Sequence, residues 1–457
     1  APEKFVTTNL MGLYPEIDYY ELCKDLDICS TDIYPKGIDT YDPASIALIY
    51  DATRNMNKNR KFIVMELQAG AIDGYGYILP EGLGVKKLGV APEPGEIRKW
   101  AYQAIAHGAE GILFWNWRTN YIGKEVFWHG ILDHDGIPRR RFYEINTLFN
   151  ELNDLSDIIS SSRIESDVAI IYSYDALWSS DIIEKGYYDH SYSDEILKVY
   201  KALWLNRINI DVVSPKADLS KYKIVVAPFI YLADDEIITN LASYVTKGGI
   251  LILTPRSFVK DEYNRVRLDR RAVDDLVGAK IKEYTRVPTG TKIRIKFTDT
   301  SPIMRGEYLY GKSWLEVYEP TTANVVAYAS WKWFEADPVI TINNYGNGMV
   351  INLGTVISLQ SMKRMLTEIL NMVKVKKVVY DDHSYPEIEY YYRSLNKNEF
   401  ILFIINHGSN NRKIRFTLNE TLSKIDSLLP KEPSIHVERN KVELTLKGHD
   451  VRVLLLK

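Results

Sequence analysis

The apolar positions of the chain follow two patterns, and the change between them falls near residue 378. Before it, short unbroken apolar runs alternate with stretches of helical periodicity; after it, apolar and polar residues alternate in short runs. Unbroken runs predict strands buried on both faces of a parallel sheet, whereas alternation predicts antiparallel strands. The pattern therefore predicts α/β structure followed by a small antiparallel β domain.

The first 155 residues predict four strand–helix units. The predicted strands cover residues 4–9, 27–35, 61–70 and 111–117, and the predicted helices cover 18–24, 43–57, 96–107 and 139–152. This alternation is typical of parallel βαβ units, and no Gly-x-Gly-x-x-Gly follows a strand, so a dinucleotide-binding fold has no support. Four units are half of a (β/α)8 TIM barrel. Because half a barrel leaves open edges, we expect the missing half to come from another chain or from a removed portion.

The middle of the chain continues the strand–helix rhythm after a polar, Ser-rich stretch at 156–167 that predicts a linker. It resembles a flavodoxin-like or amidotransferase-like open sheet, but both cysteines lie in the first domain, so an amidotransferase nucleophile is lacking. We interpret it as an assembly platform. The predicted domains are a half-barrel at 1–155, an α/β domain at 156–377 and a β-sandwich at 378–457.

Composition narrows the class of protein. Among 457 residues the net charge is -3, which gives no electrostatic case for nucleic acid or an anionic membrane. No apolar run is long enough to span a bilayer and no signal peptide is visible, so we expect a cytoplasmic protein. Cys23 and Cys29 indicate neither a disulfide framework nor a zinc site, and we expect no cofactor or metal. The 32 Tyr and 9 Trp suit a carbohydrate binder as well as ordinary core packing.

Candidate chemistry begins with Glu66, which ends the buried run at 61–70. A carboxylate there is costly to bury, and position alone leaves a catalytic and a structural acid equally open. In a barrel, the ends of the other strands converge on the same edge. They carry Asn9, Asp32, Tyr34, Trp115, Asn116, Trp117 and Arg118. Acids, amides and aromatic rings around one pocket are the chemistry of a sugar site.

Several segments carry a family resemblance: VTTNLMG at 6–12, STDIYP at 30–35, VMELQAG at 64–70, the long match at 94–118, and GKEVFWHGILDHDG at 123–136. They resemble the β-galactosidases of glycoside hydrolase family 42. The resemblance implies a catalytic barrel, a trimerisation domain and a small β domain, with only the second half of the barrel present. It also implies that Glu66 is the nucleophile of a retaining double displacement and that Glu125 grips sugar hydroxyls. Asn9, Asp32, Tyr34 and Arg118 fall on motif positions near the pocket.

Two departures from the family pattern shape the functional hypothesis. Trp128 stands where the family has a sugar-binding His, and the family's acid/base Glu, part of an Asn-Glu pair at the end of a barrel strand, has no counterpart at a predicted strand end in residues 1–155. We therefore expect a retaining exo-glycosidase subunit for β-galactosides or a related sugar such as an α-L-arabinopyranoside. Its acid/base is expected on a complementary N-terminal half-barrel chain, and the resemblance implies trimers. The alternative is a catalytically silent carbohydrate-binding or structural subunit.

Overall fold

The structure, a computed structural model, describes residues 3–36, 42–72, 90–184, 190–381, 385–419, 422, 424–431, 435, 437–438 and 440–457. Within these ranges, every helix is too short or too polar to cross a membrane. The described residues contain four sheets, which form three regions: a parallel sheet, a large mixed sheet and a pair of antiparallel sheets. They follow one another in sequence.

The first region is a parallel sheet covered by helices. Its elements are α1 (Tyr19–Leu22), β1 (Cys29–Ile33), α2 (Pro43–Met56), β2 (Phe62–Gln68), α3 (Glu96–Ala106), β3 (Ala109–Trp115) and α4 (Arg140–Ser160). The strand order is β1-β2-β3, and both pairings are parallel. As predicted, α2 begins at Pro43 with Asp42 as its N-cap, whose carboxylate accepts from the Ala44 amide.

Three details of this region differ from the sequence-based expectations. Residues 4–9 run beside β1 without forming a strand; single hydrogen bonds hold the segment, such as that from the Asp27 amide to the Val6 carbonyl at 3.0 Å. The predicted linker is wrong at its start, because α4 continues to Ser160. Cys23 and Cys29 lie with Cα atoms 5.9 Å apart and are paired as a disulfide, since the turn after α1 brings them together.

The second region is built on an eleven-stranded mixed sheet. Its elements are β4 (Val168–Ile171), α5 (Tyr174–Glu184), α6 (Tyr192–Trp204), β5 (Asp211–Val213), β6 (Ile224–Ala227), α7 (Asp235–Thr246), β7 (Ile250–Leu253), α8 (Arg271–Val277), β8 (Ala279–Arg286), β9 (Ile293–Phe297), β10 (Tyr308–Pro320), β11 (Asn324–Trp331), β12 (Phe334–Tyr345), β13 (Gly348–Leu353), β14 (Thr355–Ile357) and α9 (Leu359–Met372). Strands β5-β4-β6-β7-β13 pair in parallel, and the remaining pairs are antiparallel.

The third region is a sandwich of two four-stranded antiparallel sheets. Its strands are β15 (Val379–Asp381), β16 (Ile388–Ser394), β17 (Phe400–Asn406), β18 (Arg412–Leu418), β19 (Ile425–Leu429), β20 (Val437–Glu438), β21 (Lys441–Leu446) and β22 (Val451–Leu456). The sheet orders are β15-β18-β21-β20 and β16-β17-β22-β19. Every residue of β17 is buried, because one face packs in the sandwich and the other contacts the core beneath α3.

A buried polar junction joins the three regions. The His107 ring, at the end of α3, bonds Asp51 of α2 at 2.8 Å and Glu389 of β16 at 2.8 Å. Arg54 of α2 reaches Asp211 of β5 at 2.9 Å. Buried charges are stable only when they are paired and hydrogen-bonded. These pairs therefore hold the helices of the first region in a fixed position against the other two.

Candidate active site

Two acids lie side by side at the carboxyl edge of the parallel sheet. Asp32 of β1 and Glu66 of β2 are register partners, and both strand pairs shift register close to this point. Such irregularities re-aim side chains and are common next to functional sites. The carboxyl edge of a parallel sheet covered by helices is also where such folds keep their chemistry.

Both oxygens of Glu66 accept hydrogen bonds from side chains of neighbouring segments. The Asn9 amide donates to Oε1 at 2.8 Å, and the Tyr34 hydroxyl donates to Oε2. Asn9 Nδ2 also lies 3.3 Å from each oxygen of Asp32. The structure thus brings together four of the residues that the sequence placed at the strand ends, and it fixes the orientation of the Glu66 carboxylate.

The electrostatics of this cluster act most strongly on Asp32. Burial raises the pKa of Asp32, the charge of Glu66 raises it further, and the Asn9 hydrogen bond opposes them, which leaves the pKa at about 7. Burial together with the Glu66 carboxylate also raises the pKa of the Tyr34 phenol. Tyr34 is therefore a hydrogen-bond donor at any working pH, and Asp32 changes its charge near neutrality.

The loop after Glu125 closes one side of this edge. The Trp128 ring packs edge-on against the Tyr34 ring with centroids 5.4 Å apart, and the His129 amide donates to the Ala71 carbonyl at 2.9 Å. A Cβ on Gly70 would collide with the His129 backbone, so only glycine allows this close approach. The approach places Trp128 against Tyr34, whose hydroxyl donates to Glu66.

Trp115 and Arg118 differ in burial and in their contacts. Trp115 ends β3, and its indole N–H is buried and lacks a hydrogen-bond partner within the described residues. Arg118 is exposed, and its Nε donates to the His134 carbonyl at 3.0 Å. These contacts lie outside the acid cluster, and the Arg118 guanidinium holds the following loop.

Two further residues shape the edge without having been singled out from the sequence. Asn120 Nδ2 donates to the Glu125 carboxylate at 3.3 Å. Gln68 accepts from the Lys36 amide at 2.8 Å and donates to the Gly70 carbonyl at 2.9 Å. The position of Gln68 two residues after Glu66 was the available signal, since alternation along the strand returns it to the same side.

A parallel sheet with acids, an amide and aromatic rings at its carboxyl edge is typical of one class of protein, the α/β-barrel glycoside hydrolases. Residues 1–155 match the family model described as "Beta-galactosidase", and residues 166–376 match the one described as "Beta-galactosidase trimerisation domain". The chain belongs to glycoside hydrolase family 42.

Known relatives agree in sequence and in fold. Beta-galactosidase BgaA of Clostridium cellulovorans is 33% identical over 378 residues, which are 81% of this chain and 54% of that protein. Beta-galactosidase BgaB of a Geobacillus species is 28% identical over 89% of this chain and 58% of its own length. The crystal structure of a β-galactosidase from Bacillus circulans sp. alkalophilus superposes with a TM-score of 0.89 at 26% identity, over 100% of this chain and 64% of that one. The predicted fold class is confirmed, and the chain spans little more than half the length of these two curated relatives.

Proposed function

We propose that this chain acts on β-galactosides by retaining double displacement, with Glu66 as the nucleophile. The observation that carries the proposal is the Glu66 carboxylate at the carboxyl edge of β2, held by the Asn9 amide and the Tyr34 hydroxyl. A nucleophilic carboxylate has to be presented to the anomeric carbon in one orientation, and two donors on different segments achieve this. The names of the relatives support the same activity.

The proposed sugar contacts surround this carboxylate. Glu125 and Asp32 accept from sugar hydroxyls, Asn9 donates, and the rings of Trp115 and Trp128 offer apolar surface to the C–H face of the sugar. Because Trp128 forms fewer hydrogen bonds than the family's histidine, the proposed substrates include related sugars such as an α-L-arabinopyranoside. Arg118 acts only indirectly, through the loop that it holds.

Retaining hydrolysis also needs a second carboxyl group roughly 5–5.5 Å from the nucleophile, to protonate the leaving oxygen. We propose that a complementary half-barrel on a separate chain supplies it. The supporting observations are exposed apolar side chains around the sheet, namely Phe5, Val6, Leu113 and Phe149, and the outer edge of β3, which pairs only with β2 among the described strands. Apolar surface and unpaired strand edges of this kind mark a place where another body docks.

The middle domain, proposed to span 156–377 between the half-barrel and the β-sandwich, would assemble the protein as a trimer. The match to a trimerisation-domain model supports this state. Light scattering coupled to size exclusion would report the mass of three chains, alone or with the complementary halves. A monomer at micromolar concentration would contradict the proposal.

The competing function is a catalytically silent carbohydrate-binding subunit. The observation that favours it is Trp128, whose ring packs on Tyr34 where a hydrogen-bonding side chain is expected. The two functions differ in one result. A silent subunit would bind galactosides without turnover even after the complementary half-barrel has been added.

The decisive experiment compares Glu66→Gln with the wild-type chain, both reconstituted with the complementary half. We expect kcat to fall by at least about 10³-fold, because the amide cannot form the glycosyl–enzyme ester. Azide should restore turnover to Glu66→Ala and give the glycosyl azide of inverted configuration. Glu110→Gln, which changes an exposed acid at the opposite end of β3, is the matched control and should retain activity. Labelling of another carboxylate by an activated 2-fluoroglycoside would overturn the assignment of Glu66.

A further inference from the structure

One solvent face of the large sheet carries cations at alternate positions. On β9, Ile293, Ile295 and Phe297 point into the core, and this alternation turns Arg294 and Lys296 towards solvent. The face lies in the antiparallel half of the sheet, on a different domain from Glu66. Its chemistry is therefore separate from that of the acid cluster.

Strand register places an aromatic ring beside each cation. Tyr308 lies opposite Lys296 and Tyr310 lies opposite Arg294, and the two tyrosines are 40% and 53% exposed. Arg294 Cζ is 4.3 Å from the centre of the Tyr308 ring, and Lys292 Nζ is 5.9 Å from that of Tyr310. We call these five residues the β9–β10 face. Two residues along one strand, the tyrosines stand about 7 Å apart on the same side.

The cations of the β9–β10 face contact aromatic rings, which do not neutralise their charge. An aromatic ring attracts a cation through its quadrupole but has no net charge. The nearby acids are engaged elsewhere: Asp337 pairs with Lys282 at 2.9 Å, and Glu307 pairs with Arg364. Within the described residues, the three cations of the face make ring contacts and no ion pair, and the exposed Glu335 lies two strands away on β12.

We propose that the β9–β10 face binds an anionic polysaccharide, a glycan chain that carries carboxylate or sulfate groups. Arg294, Lys292 and Lys296 provide the charge complementary to those groups, and half-exposed tyrosines pack on the C–H surface of sugar rings. Nucleic acid fits less well, because its affinity rests on a strongly basic domain and this chain has a net charge of -3. Such a face would keep a glycosidase on a charged polymer while Glu66 works on neutral residues nearby.

The test measures binding of the full chain to oligogalacturonate and to a sulfated galactan by calorimetry at low salt, with neutral galactan as the uncharged reference. We expect one or both charged glycans to bind in a way that depends on the β9–β10 face, and any binding of the neutral galactan, at the Glu66 site, to be unchanged in the face variants. Affinity should fall as salt rises, because exposed charge pairs are screened. Arg294→Ala combined with Lys296→Ala should weaken binding by about tenfold or more, and Tyr310→Ala should weaken it without changing the salt dependence.

The matched control is Lys58→Ala combined with Lys397→Ala, which removes two exposed charges from the other two domains. It should bind like the wild type, and unchanged melting temperatures would show that all variants fold. Equal binding by the control and the face variants, or failure of both charged glycans to bind, would overturn the proposal. Tighter binding of single-stranded oligonucleotide than of either glycan would overturn it too, as would a change of oligomeric state in the face variants. Since binding is measured without turnover, the result is independent of the role of Glu66.

Discussion

At the scale of single residues, the Tyr34 hydroxyl tests how far the orientation of Glu66 matters. Tyr34→Phe removes the donor to Glu66 Oε2 and leaves the ring that packs on Trp128. A hydrogen bond to a charged group contributes about 1.5–3 kcal/mol, so we expect kcat/KM of the reconstituted enzyme to fall roughly 10–100-fold. Tyr50→Phe is the control, because its buried hydroxyl lacks a partner within the described residues. Equal losses in the two variants would mean that the Tyr34 hydroxyl has no specific role.

Asp32 gives a prediction about pH. Its folded-state pKa of about 7 exceeds the ordinary value of 3.8, because burial and the Glu66 charge disfavour ionisation. The folded state then holds a proton that the unfolded chain has lost, so Asp32 makes stability fall as pH rises between these two values. Asn cannot ionise. The melting temperature of Asp32→Asn minus that of the wild type should therefore increase from about pH 4 to about pH 7 and stay constant above that.

The control for this pH dependence has the opposite sign. Asp135 accepts hydrogen bonds from Arg139, which lower the pKa of its carboxyl. Its ionised form therefore stabilises the fold above the ordinary Asp value, and that contribution is lost as pH falls through the folded-state pKa. The melting temperature of Asp135→Asn relative to that of the wild type should not increase as pH rises. A gain for Asp135→Asn equal to that of Asp32→Asn would contradict the assigned causes.

At the scale of elements, His107 connects α3 to α2 and β16. Burial alone would lower the pKa of its imidazole, but Asp51 and Glu389 raise it to about 9, so the ring is charged at neutral pH. The ion pair therefore stabilises the fold fully below the ordinary His value of 6.5, and the stabilisation is lost as pH rises through about 9. Removing one partner of a buried pair costs about 3–5 kcal/mol.

His107→Gln should therefore lower the free energy of unfolding by about 3 kcal/mol near pH 6, measured by urea denaturation. The difference from the wild type should shrink above about pH 9. His134→Gln is the comparison and should cost much less, because the one hydrogen bond of that imidazole within the described residues is to a backbone carbonyl, of Val126, at 2.7 Å. A penalty for His107→Gln that stays constant with pH would show that the ring is neutral in the folded protein.

Elements were predictable from sequence where the local signal and the packing agree. Asp42 before Pro43 located the start of α2, and the unbroken run 61–70 located β2. The signal failed for α8, which has seven residues and no side-chain cap, and for residues 4–9, whose apolar content resembles a strand but whose backbone pairs only at single points. The conformation of both segments depends on contacts with residues that are distant in the sequence, and the periodicity of the sequence does not indicate such contacts.

The candidate site followed the same rule. Asp32, Glu66 and Trp115 end strands, so chain pattern and barrel geometry sufficed to place them at one edge. Arg118 follows the end of β3, and there the direction of a side chain depends on the loop that it contacts. The contact between Gly70 and His129, which positions Trp128, joins segments almost sixty residues apart. The local sequence of neither segment predicts this contact.

At the scale of the whole molecule, the exposed apolar side chains of the first region support the proposal that a second body docks on it. Residue alternation turns Leu113 of β3 away from α4, to which Phe114 of the same strand packs through Phe149. Leu113 is 48% exposed and faces the proposed interior of the barrel. A charge at this position is solvated in the isolated chain, but it would be buried and unpaired once a complementary half-barrel closes over it.

Leu113→Asp should therefore leave the melting temperature and the oligomeric state of this chain unchanged while strongly weakening its association with the complementary half. A desolvated, unpaired carboxylate costs several kcal/mol, so the dissociation constant should rise by about 10²-fold or more, with a parallel loss of glycosidase activity. Tyr380→Asp, at an exposed apolar position of the β-sandwich, should associate normally. If Leu113→Asp binds the complementary half as tightly as Tyr380→Asp does, the barrel does not close over β3. The general acid/base that works with Glu66 would then have to come from another place.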